Sequence, residues 1–348
     1  MTKPLSPATF FFSVIVLTMT LMSVTVLMPQ DKYYRYQEYH SGTTRKADWI
    51  YERLNFDESP IDVALLGSSR TGAGLSAPDI ETYFCKATGR KISVANLSIP
   101  ETGRNMHYVL AKELFATKSP TLVVLELNER ETRRPHNDFI YLADAEDVLS
   151  APLWINLNYF SDLLRLPGRQ ATLFWSSLTK RPALRQEFDD KAYAGRHLDR
   201  TRTLELLDGR IINRQITLPK EKLDAMHDMR IATSFDHVSV PTPIKTLEHR
   251  ISRHYVRKID ALAQTRNAKL TFALLPAYRR PNLEEDVLGE LGVEGEIALL
   301  GDDLANNPAY WQDAIHLNTS GALLASERFA LALAKTHPGL GILDEHCK

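Results

Sequence analysis

The chain has 348 residues, of which 44% are hydrophobic and 24% charged, and its formal net charge is −1. That length suffices for one large domain, or for a core domain that carries a long insertion. The near-neutral balance, without any block of like charge, gives no electrostatic reason to expect a nucleic-acid partner. No group of His, Asp and Glu residues has the spacing of metal ligands, so neither a metal nor another cofactor is predicted.

The first predicted element is an apolar stretch from Thr9 to Met28 that contains no charged residue. At 1.5 Å per residue, a helix of this length spans roughly the 30 Å core of a bilayer. No Ala-x-Ala cleavage site follows it, which favours an uncleaved signal anchor over a signal peptide. Residues 1–30 are therefore predicted to anchor the chain once in the inner (cytoplasmic) membrane, with the globular domain on the extracytoplasmic, periplasmic side.

Residues 31–46 are polar and tyrosine-rich and are predicted as a linker, and residues 47–348 form the domain. Short β-branched runs alternate there with helical segments, which predicts the α/β class, with a mainly parallel sheet covered by helices. The expected strands are Ile61–Leu66, Ile92–Leu97, Thr121–Leu127, Lys269–Leu275 and Glu296–Leu300. The expected helices are Ala47–Asn55, Asn105–Lys118, Lys245–Asn267 and Gly321–Lys335.

The segment at about 130–243 breaks this alternation. It has scattered aromatic residues, many arginines and one short apolar run, which indicates an insertion of helices and loops that serves as a lid or a partner surface. Cys85 and Cys347 are far apart in sequence and could pair in an oxidising compartment, although two cysteines do not decide the matter.

Polar residues follow three of the predicted strands: Ser69, Ser98 and Asn128. In open α/β sheets, ligands collect at the carboxyl ends of the strands. A serine becomes a nucleophile when a base takes its proton, and Asp313 and His316 are close enough in sequence for one turn to pair them. Each feature also has a purely structural interpretation, because Ser68 or Ser69 could simply cap the next helix and Asn128 could simply end its strand.

Taken together, these motifs resemble the SGNH (GDSL-like) hydrolase superfamily. Gly67-Ser68-Ser69 is similar to its first block, with Ser69 as nucleophile, and DAIHLNTSG is similar to its last block, with Asp313 and His316 as the base pair. The resemblance covers roughly residues 60–128 and 245–335. It implies a three-layer α/β/α sandwich with a flavodoxin-like sheet, and an oxyanion hole that uses Ser98 and Asn128.

The chain departs from the family pattern at several points. Ser68 replaces the usual Asp of the first block, Ser98 stands where a glycine is usual, and the third block lacks its glycine. Ser98 keeps a backbone N–H for an oxyanion hole but crowds the approach to it. Arg70, directly after the nucleophile, could contact an anionic sugar or phosphate, or it could form a salt bridge within the domain.

The resemblance implies acyl transfer through an acyl-Ser69 intermediate. Membrane-anchored Gly-Ser-Ser relatives are similar to proteins of polysaccharide and teichoic acid O-acylation. That similarity favours O-acylation of an extracytoplasmic glycan, most simply O-acetylation of a surface polysaccharide beside a multi-spanning membrane acyltransferase. A carbohydrate or lipid ester hydrolase is the first alternative. A catalytically inactive glycan-binding subunit of a synthesis complex is the second.

Overall fold

The structure is a computed structural model that describes residues 6–39, 44–129, 134–153, 156, 158–206, 208–232, 249–283 and 287–347. The strands are β1 Val63–Leu66, β2 Arg90–Lys91, β3 Val94–Asn96, β4 Leu122–Leu127, β5 Thr203–Glu205, β6 Ile211–Asn213, β7 Lys269–Leu274, β8 Ile297–Leu299 and β9 Ile342–Leu343. The helices are α1 Pro7–Val26, α2 Lys32–Glu38, α3 Ala47–Asn55, α4 Ser69–Gly74, α5 Ala77–Thr88, α6 Arg104–Thr117, α7 Phe139–Leu142, α8 Ala145–Leu149, α9 Tyr159–Thr179, α10 Lys220–Ala232, α11 Arg250–Thr265, α12 Val287–Leu291, α13 Asp302–Asn306 and α14 Thr319–Thr336.

The main sheet has five strands in the order β3-β1-β4-β7-β8, and every neighbouring pair is parallel. Two two-stranded antiparallel sheets, β2-β9 and β5-β6, lie outside it. All five predicted strands are present, each shorter than the apolar run that predicted it. The predicted α/β class with a parallel sheet is therefore confirmed.

Successive residues of strand β1 contribute to two different hydrophobic clusters. Ala64 and Leu66 belong to a cluster that includes residues of α3, α6 and α11. Val63 and Leu65 belong to a second cluster that includes residues of α5 and α14. Neighbouring residues of a strand point to opposite faces of the sheet, and here both faces are buried. A continuous apolar run, rather than an alternating one, is therefore expected in these strands.

The N-terminal helix α1 begins after Ser6, whose Oγ accepts from the Thr9 backbone N–H at 3.2 Å, and Pro7 occupies its first turn. Its mean hydropathy is 2.0 and none of its residues is buried. Among the described residues it is the one helix long and apolar enough to cross a membrane. Its last turn meets α9, where Gln170 Nε2 donates to the Val26 carbonyl at 3.1 Å.

The segment predicted as a linker differs from that prediction, because residues 32–38 form helix α2 and are mostly buried. Tyr33 and Tyr36 bury their rings, and the Tyr33 hydroxyl donates to Glu52 at 2.6 Å. Arg35 is buried and binds Asp144 at 2.7 Å. The sequence of this segment looks polar because of its tyrosine hydroxyls. The aromatic rings can nevertheless pack in the hydrophobic core when the hydroxyls form hydrogen bonds. Residues 40–43 lie outside the described residues.

The predicted insertion at about 130–243 contains helices α7 to α10 and also a β-hairpin, β5-β6, which the sequence did not indicate as strands. Residues 233–248, which include the start of the helix predicted at Lys245, lie outside the described residues. Cys85 of α5 and Cys347 form a disulfide with their Cα atoms 5.0 Å apart. This bond joins the C-terminus to the core, so the pairing left open by the sequence is present.

Candidate active site

The candidate nucleophile lies in a tight turn at the carboxyl end of β1. The strand ends at Leu66, Gly67 and Ser68 form the turn, and α4 begins at Ser69. Ser68 is the N-cap residue, and its Oγ accepts from the Arg70 backbone N–H at 3.2 Å. Of the two serines considered as helix caps, Ser68 therefore takes the role, which leaves the Ser69 hydroxyl available for other partners.

A buried carboxylate, Glu126, holds this turn in place from the neighbouring strand β4. It accepts from the Ser68 backbone N–H at 2.8 Å, from the Ser68 hydroxyl at 2.6 Å and from the Thr71 backbone N–H at 3.1 Å, and it also binds the Thr71 hydroxyl. A Cβ at Gly67 would lie 2.6 Å from Glu126 Oε2 and 2.0 Å from Thr71 Oγ1. Glycine at position 67 is therefore required by the carboxylate behind it.

The three predicted catalytic residues form one chain of hydrogen bonds. The His316 Nε2 atom lies 2.8 Å from Ser69 Oγ, and His316 Nδ1 lies 2.8 Å from Asp313 Oδ2. The other carboxylate oxygen of Asp313 accepts from the backbone N–H groups of Ile315 and His316, each at 2.8 Å. The short loop between α13 and α14 thus folds back on its own aspartate, as the three-residue spacing predicted.

The protonation of this chain follows from the surroundings of Asp313. Burial acts to raise the pKa of its carboxyl, but the hydrogen bonds from the His316 ring and from the two backbone N–H groups outweigh burial and leave the pKa below its ordinary value. An ionised Asp313 accepts a hydrogen bond from the Nδ1–H group of His316, so the tautomer of the neutral imidazole that fits has its lone pair at Nε2. That lone pair faces the Ser69 hydroxyl, the geometry that a general base requires.

The predicted oxyanion donors are arranged differently from the triad. Ser98 lines the same cavity as Ser69 and His316, but its backbone N–H donates to Asn96 Oδ1 at 3.1 Å. Asn128 follows β4 and is not among the described residues that line the cavity, and its Oδ1 is buried without a hydrogen-bond partner. The structure therefore brings Ser98, but not Asn128, to the cavity that holds Ser69.

Arg70 forms the salt bridge that was one of its two sequence interpretations. Its guanidinium binds both carboxylate oxygens of Glu129 and the Leu275 carbonyl, and Arg230 binds the same carboxylate at 2.8 Å. Burial raises the pKa of Glu129, but the two guanidiniums outweigh burial and lower that pKa to about 2. The charge of Arg70 is thus largely neutralised inside the domain, although Arg70 also lines the cavity.

A buried histidine, His107 of α6, supports the turn from behind. Arg104 Nη1 lies 3.2 Å from His107 Nδ1, and since arginine can only donate, Nδ1 is the acceptor. The other ring nitrogen then donates to the Gly67 backbone carbonyl. Burial, followed by the charge of Arg104, lowers the pKa of His107 well below its ordinary value, so the ring is neutral. Neither His107 nor Glu126 was predicted as part of the site, and a glutamate inside the apolar run TLVVLEL was the one available signal.

The triad opens onto a cavity of about 990 Å³ whose wall is rich in cations. Much of that wall comes from the insertion, so the segment at about 130–243 borders the candidate site. Six basic residues line the cavity, namely Lys46, Arg70, Arg134, Arg200, Arg214 and Arg230. Apart from Arg70, none of these was singled out from the sequence, because they come from positions that are remote from one another along the chain. Within the described residues there is no cluster of three His, Cys, Asp or Glu side chains that could hold a metal ion.

Comparison of the chain with models of known protein families found no match, and comparison with curated proteins found no significant relative.

Proposed function

We propose that this protein is a serine-dependent acyl-transfer enzyme of the SGNH type, in which Ser69 carries the acyl group. One observation carries the proposal: the continuous hydrogen-bond chain from Asp313 through His316 to Ser69, at the mouth of a large cavity. The strand order β3-β1-β4-β7-β8 corresponds to the doubly wound order of flavodoxin-like sheets. Together with the two hydrophobic clusters, this order supports a three-layer α/β/α sandwich.

In the proposed reaction, Ser69 Oγ attacks the carbonyl carbon of an ester while its proton passes to His316 Nε2. Asp313 stabilises the imidazolium, which then gives the proton to the departing alkoxide and leaves an acyl ester on Ser69. In the second half, a hydroxyl of the acceptor loses its proton to His316 and attacks the acyl carbon. The bond between Ser69 Oγ and the acyl carbon then breaks, and Oγ takes the proton back from His316. The acceptor is a sugar hydroxyl for an O-acyltransferase and water for an esterase.

The proposed oxyanion hole uses the backbone N–H groups near Ser69 and at Ser98, without the Asn128 amide, because Asn128 is not among the described residues that line the cavity. For Ser98 this requires its N–H to exchange Asn96 Oδ1 for the substrate oxyanion. Losing one such donor typically raises the barrier by about 3–4 kcal/mol. If the Ser98 N–H stays bound to Asn96 Oδ1, the cavity lacks this oxyanion donor. That outcome favours the second alternative, a catalytically inactive glycan-binding subunit.

The proposed location is the extracytoplasmic face of the inner (cytoplasmic) membrane, with α1 as a single-pass anchor. The length and hydropathy of α1 support the anchor, and the Cys85–Cys347 disulfide supports an oxidising compartment such as the periplasm. In this location the acceptor would be an extracytoplasmic glycan, and a multi-spanning membrane acyltransferase would supply the acyl group. Hydrolysis of a carbohydrate or lipid ester uses the same triad and differs only in the acceptor.

The test uses the full chain in detergent micelles with p-nitrophenyl acetate as acyl donor. We expect nitrophenolate release that falls by at least about 10³-fold in Ser69→Ala and in His316→Ala, because each removes a group that acts in the transition state. His254→Ala, which changes a histidine of α11 outside the cavity lining, serves as the matched control. Release that is accelerated by added oligosaccharide supports the transferase, and release unaffected by it supports the esterase. A folded protein without any release contradicts catalysis by this chain alone and supports the binding subunit.

A further inference from the structure

Within the described residues, three cations in the cavity wall lack a carboxylate partner like Glu129, which Arg70 and Arg230 share. We refer to Lys46, Arg200 and Arg214 as the cationic triplet. Lys46 directly precedes α3, and the two arginines flank the β5-β6 hairpin of the insertion. The hairpin is held against the start of α14, because the Thr319 backbone N–H donates to the Arg214 carbonyl at 2.9 Å. Different parts of the chain are thus fixed together to form one wall.

Within the described part of the chain, no member of the triplet forms an ion pair. Lys46 Nζ donates to the Asn96 backbone carbonyl, and Arg214 Nη1 donates to Gln312 Oε1 at 3.0 Å, both neutral acceptors. The Nε atom of Arg214 is buried and has no partner. Arg70 and Arg230, by contrast, share the carboxylate of Glu129.

Three carboxylates near the triplet, those of Asp199, Asp313 and Glu101, accept hydrogen bonds from other residues. Asp199 accepts from the Ser76 hydroxyl at 2.9 Å and from both the N–H and the hydroxyl of Thr201. Asp313 is held by His316. Glu101 lines the same cavity, and it accepts from Asn137 at 3.3 Å. None of these three carboxylates forms an ion pair with the triplet, although Asp199 lies near enough to act on Lys46.

Burying like charges together without an anion is unfavourable. Lys46 is 2% exposed and Arg214 is 8% exposed. Burial, reinforced by the neighbouring Arg200, lowers the pKa of Lys46 well below its ordinary value. Burial, with Arg45 and Arg214 adding to it, lowers the pKa of Arg200 to about 10. An anion bound between these groups would relieve both the repulsion and the unpaired donor of Arg214.

We propose that the cationic triplet is a binding subsite for an anionic group, a carboxylate or a phosphodiester, carried by the glycan substrate whose ester or hydroxyl reacts at Ser69. Guanidinium groups bind both kinds of oxyanion through paired hydrogen bonds. Arg214 donates a hydrogen bond to Gln312, the residue that directly precedes Asp313, so the subsite and the triad share one loop. The inference rests on the proposed function for what happens at Ser69, whereas binding of the anionic chain can be measured without any reaction.

The experiment measures binding to the full chain in a neutral detergent by calorimetry, with three oligomers of similar length: an oligogalacturonate, a glycerol phosphate oligomer and a neutral glucan. We expect one of the two anionic oligomers to bind with an affinity that falls as salt rises, and the neutral glucan to bind more weakly. Arg200→Gln and Arg214→Gln should each weaken that binding by about tenfold or more. Arg202→Gln is the matched control, because Arg202 lies on the same segment but pairs with Asp79.

The outcomes separate the two proposals. If Ser69→Ala binds the anionic oligomer like the parent chain but no acyl transfer is found, the subsite stands and the proposed function fails. If acyl transfer proceeds but the anionic and neutral oligomers bind equally, or Arg200→Gln leaves binding unchanged, the subsite is wrong. Should Arg214→Gln fail to fold, Arg200→Gln and Lys46→Met carry the test alone, with thermal melting as the check of folding.

A second, independent observation concerns helix α9. Phe160, Leu164, Trp175 and Leu178 of this helix are between 60% and 71% exposed. Their spacing places all four on one side of the helix, whereas Leu166 and Leu173 are buried on another side. An apolar stripe of this size at the protein surface indicates an interaction site.

Helix α9 lies beside the end of α1, as the contact between Gln170 and the Val26 carbonyl shows. If α1 spans the bilayer, this contact positions α9 where the span leaves the membrane. Apolar helix faces that carry Trp and Phe and lie at that level commonly sink into the headgroup and acyl boundary. We infer that the apolar stripe of α9 lies in the membrane surface and holds the domain, with its cavity, close to the bilayer.

The test places the full chain in liposomes whose lipids carry bromine on the acyl chains, which quenches nearby tryptophan fluorescence. We expect clear quenching in the parent chain and a loss of most of the quenched signal in Trp175→Phe. Trp49→Phe is the control, because Trp49 is buried in the core and its removal should leave the quenched signal in place. Equal quenching in the parent chain and in Trp175→Phe would overturn the inference and leave the stripe as a surface for a protein partner.

Discussion

At the residue scale, buried hydrogen bonds hold the turn that carries Ser69. Glu126 is the clearest case, because one buried carboxylate accepts hydrogen bonds from the turn that carries Ser69. A carboxylate in that position can accept at both oxygens, whereas an amide has only one accepting oxygen. The orientation of Ser69, the candidate nucleophile, therefore depends on a residue that is not among the described residues lining the cavity.

We expect Glu126→Gln to lower the free energy of unfolding by about 1–3 kcal/mol and to reduce acyl transfer, because one amide hydrogen would face the N–H and hydroxyl donors of Ser68 and Thr71. Urea unfolding and nitrophenolate release measure the two effects. Glu296→Gln, at the edge of β8 and away from the turn, is the control. A variant with unchanged stability and unchanged activity would show that the turn does not depend on this carboxylate.

The paired arginines at Glu129 predict a pH dependence of stability. Burial raises the pKa of Glu129, but Arg70 and Arg230 outweigh burial and lower this pKa to about 2, well below its ordinary value, so the folded state favours the ionised form. The stability from this pair is complete above the unfolded pKa and is lost as the pH falls from about 5 towards 2. Glu129→Gln should therefore be less stable than the parent chain at pH 7, and the difference should shrink on acidification.

Urea unfolding at pH 7, 5 and 4 measures this difference. At pH 7 we expect about 3–5 kcal/mol, because removing the carboxylate leaves the buried charge of Arg70, and the partly exposed charge of Arg230, uncompensated. Glu205→Gln, at an exposed position on β5, is the control. A difference that stays constant with pH would contradict the lowered pKa of Glu129.

Much of the site could be predicted from the sequence where the signal is local. Asp313 and His316 are three residues apart, and one loop with its own backbone hydrogen bonds pairs them. The cationic triplet and Glu126 could not be predicted in the same way. Lys46, Arg200 and Arg214 are brought together only by the packing of the insertion on the core, and no periodicity in the sequence encodes that contact.

At the scale of elements, helix α2 belongs to the folded domain. Its tyrosines are buried, and Arg35 binds the Ala143 carbonyl at 3.2 Å as well as Asp144. A chain that begins at residue 47 should therefore be less stable than one that begins at residue 30, because it exposes the surface that α2 covers. Thermal melting of the two truncated chains, with the full chain in detergent as reference, measures the difference. Equal melting temperatures would restore the linker interpretation of residues 31–46.

The strands and the long helices were predictable because their apolar residues repeat with a clear period. In α11, Ile251, Tyr255, Val256, Ile259 and Ala263 are all buried at helical spacing. The hairpin β5-β6 was not predictable, since its strands have three residues each and are largely exposed. Short exposed strands carry no burial pattern for a sequence to show.

At the scale of the whole molecule, one disulfide joins residues 262 positions apart. Closing so long a loop restricts the unfolded chain and stabilises the fold by about 5 kcal/mol at most. We expect reduction, or the double substitution Cys85→Ser and Cys347→Ser, to lower the melting temperature of the full chain, with the oxidised parent as reference. No change in melting temperature on reduction would show that the C-terminus contributes little to stability.

Intact mass after exposure to p-nitrophenyl acetate measures whether Ser69 is the nucleophile. We expect the gain of one acetyl group on the full chain, mapped by peptide analysis to Ser69 and absent in Ser69→Ala. Ser68→Ala should still be acetylated, because the hydroxyl of Ser68 is bound to Glu126 and does not face His316. Acetylation at Ser68, or labelling that persists in Ser69→Ala, would show that Ser69 is not the nucleophile.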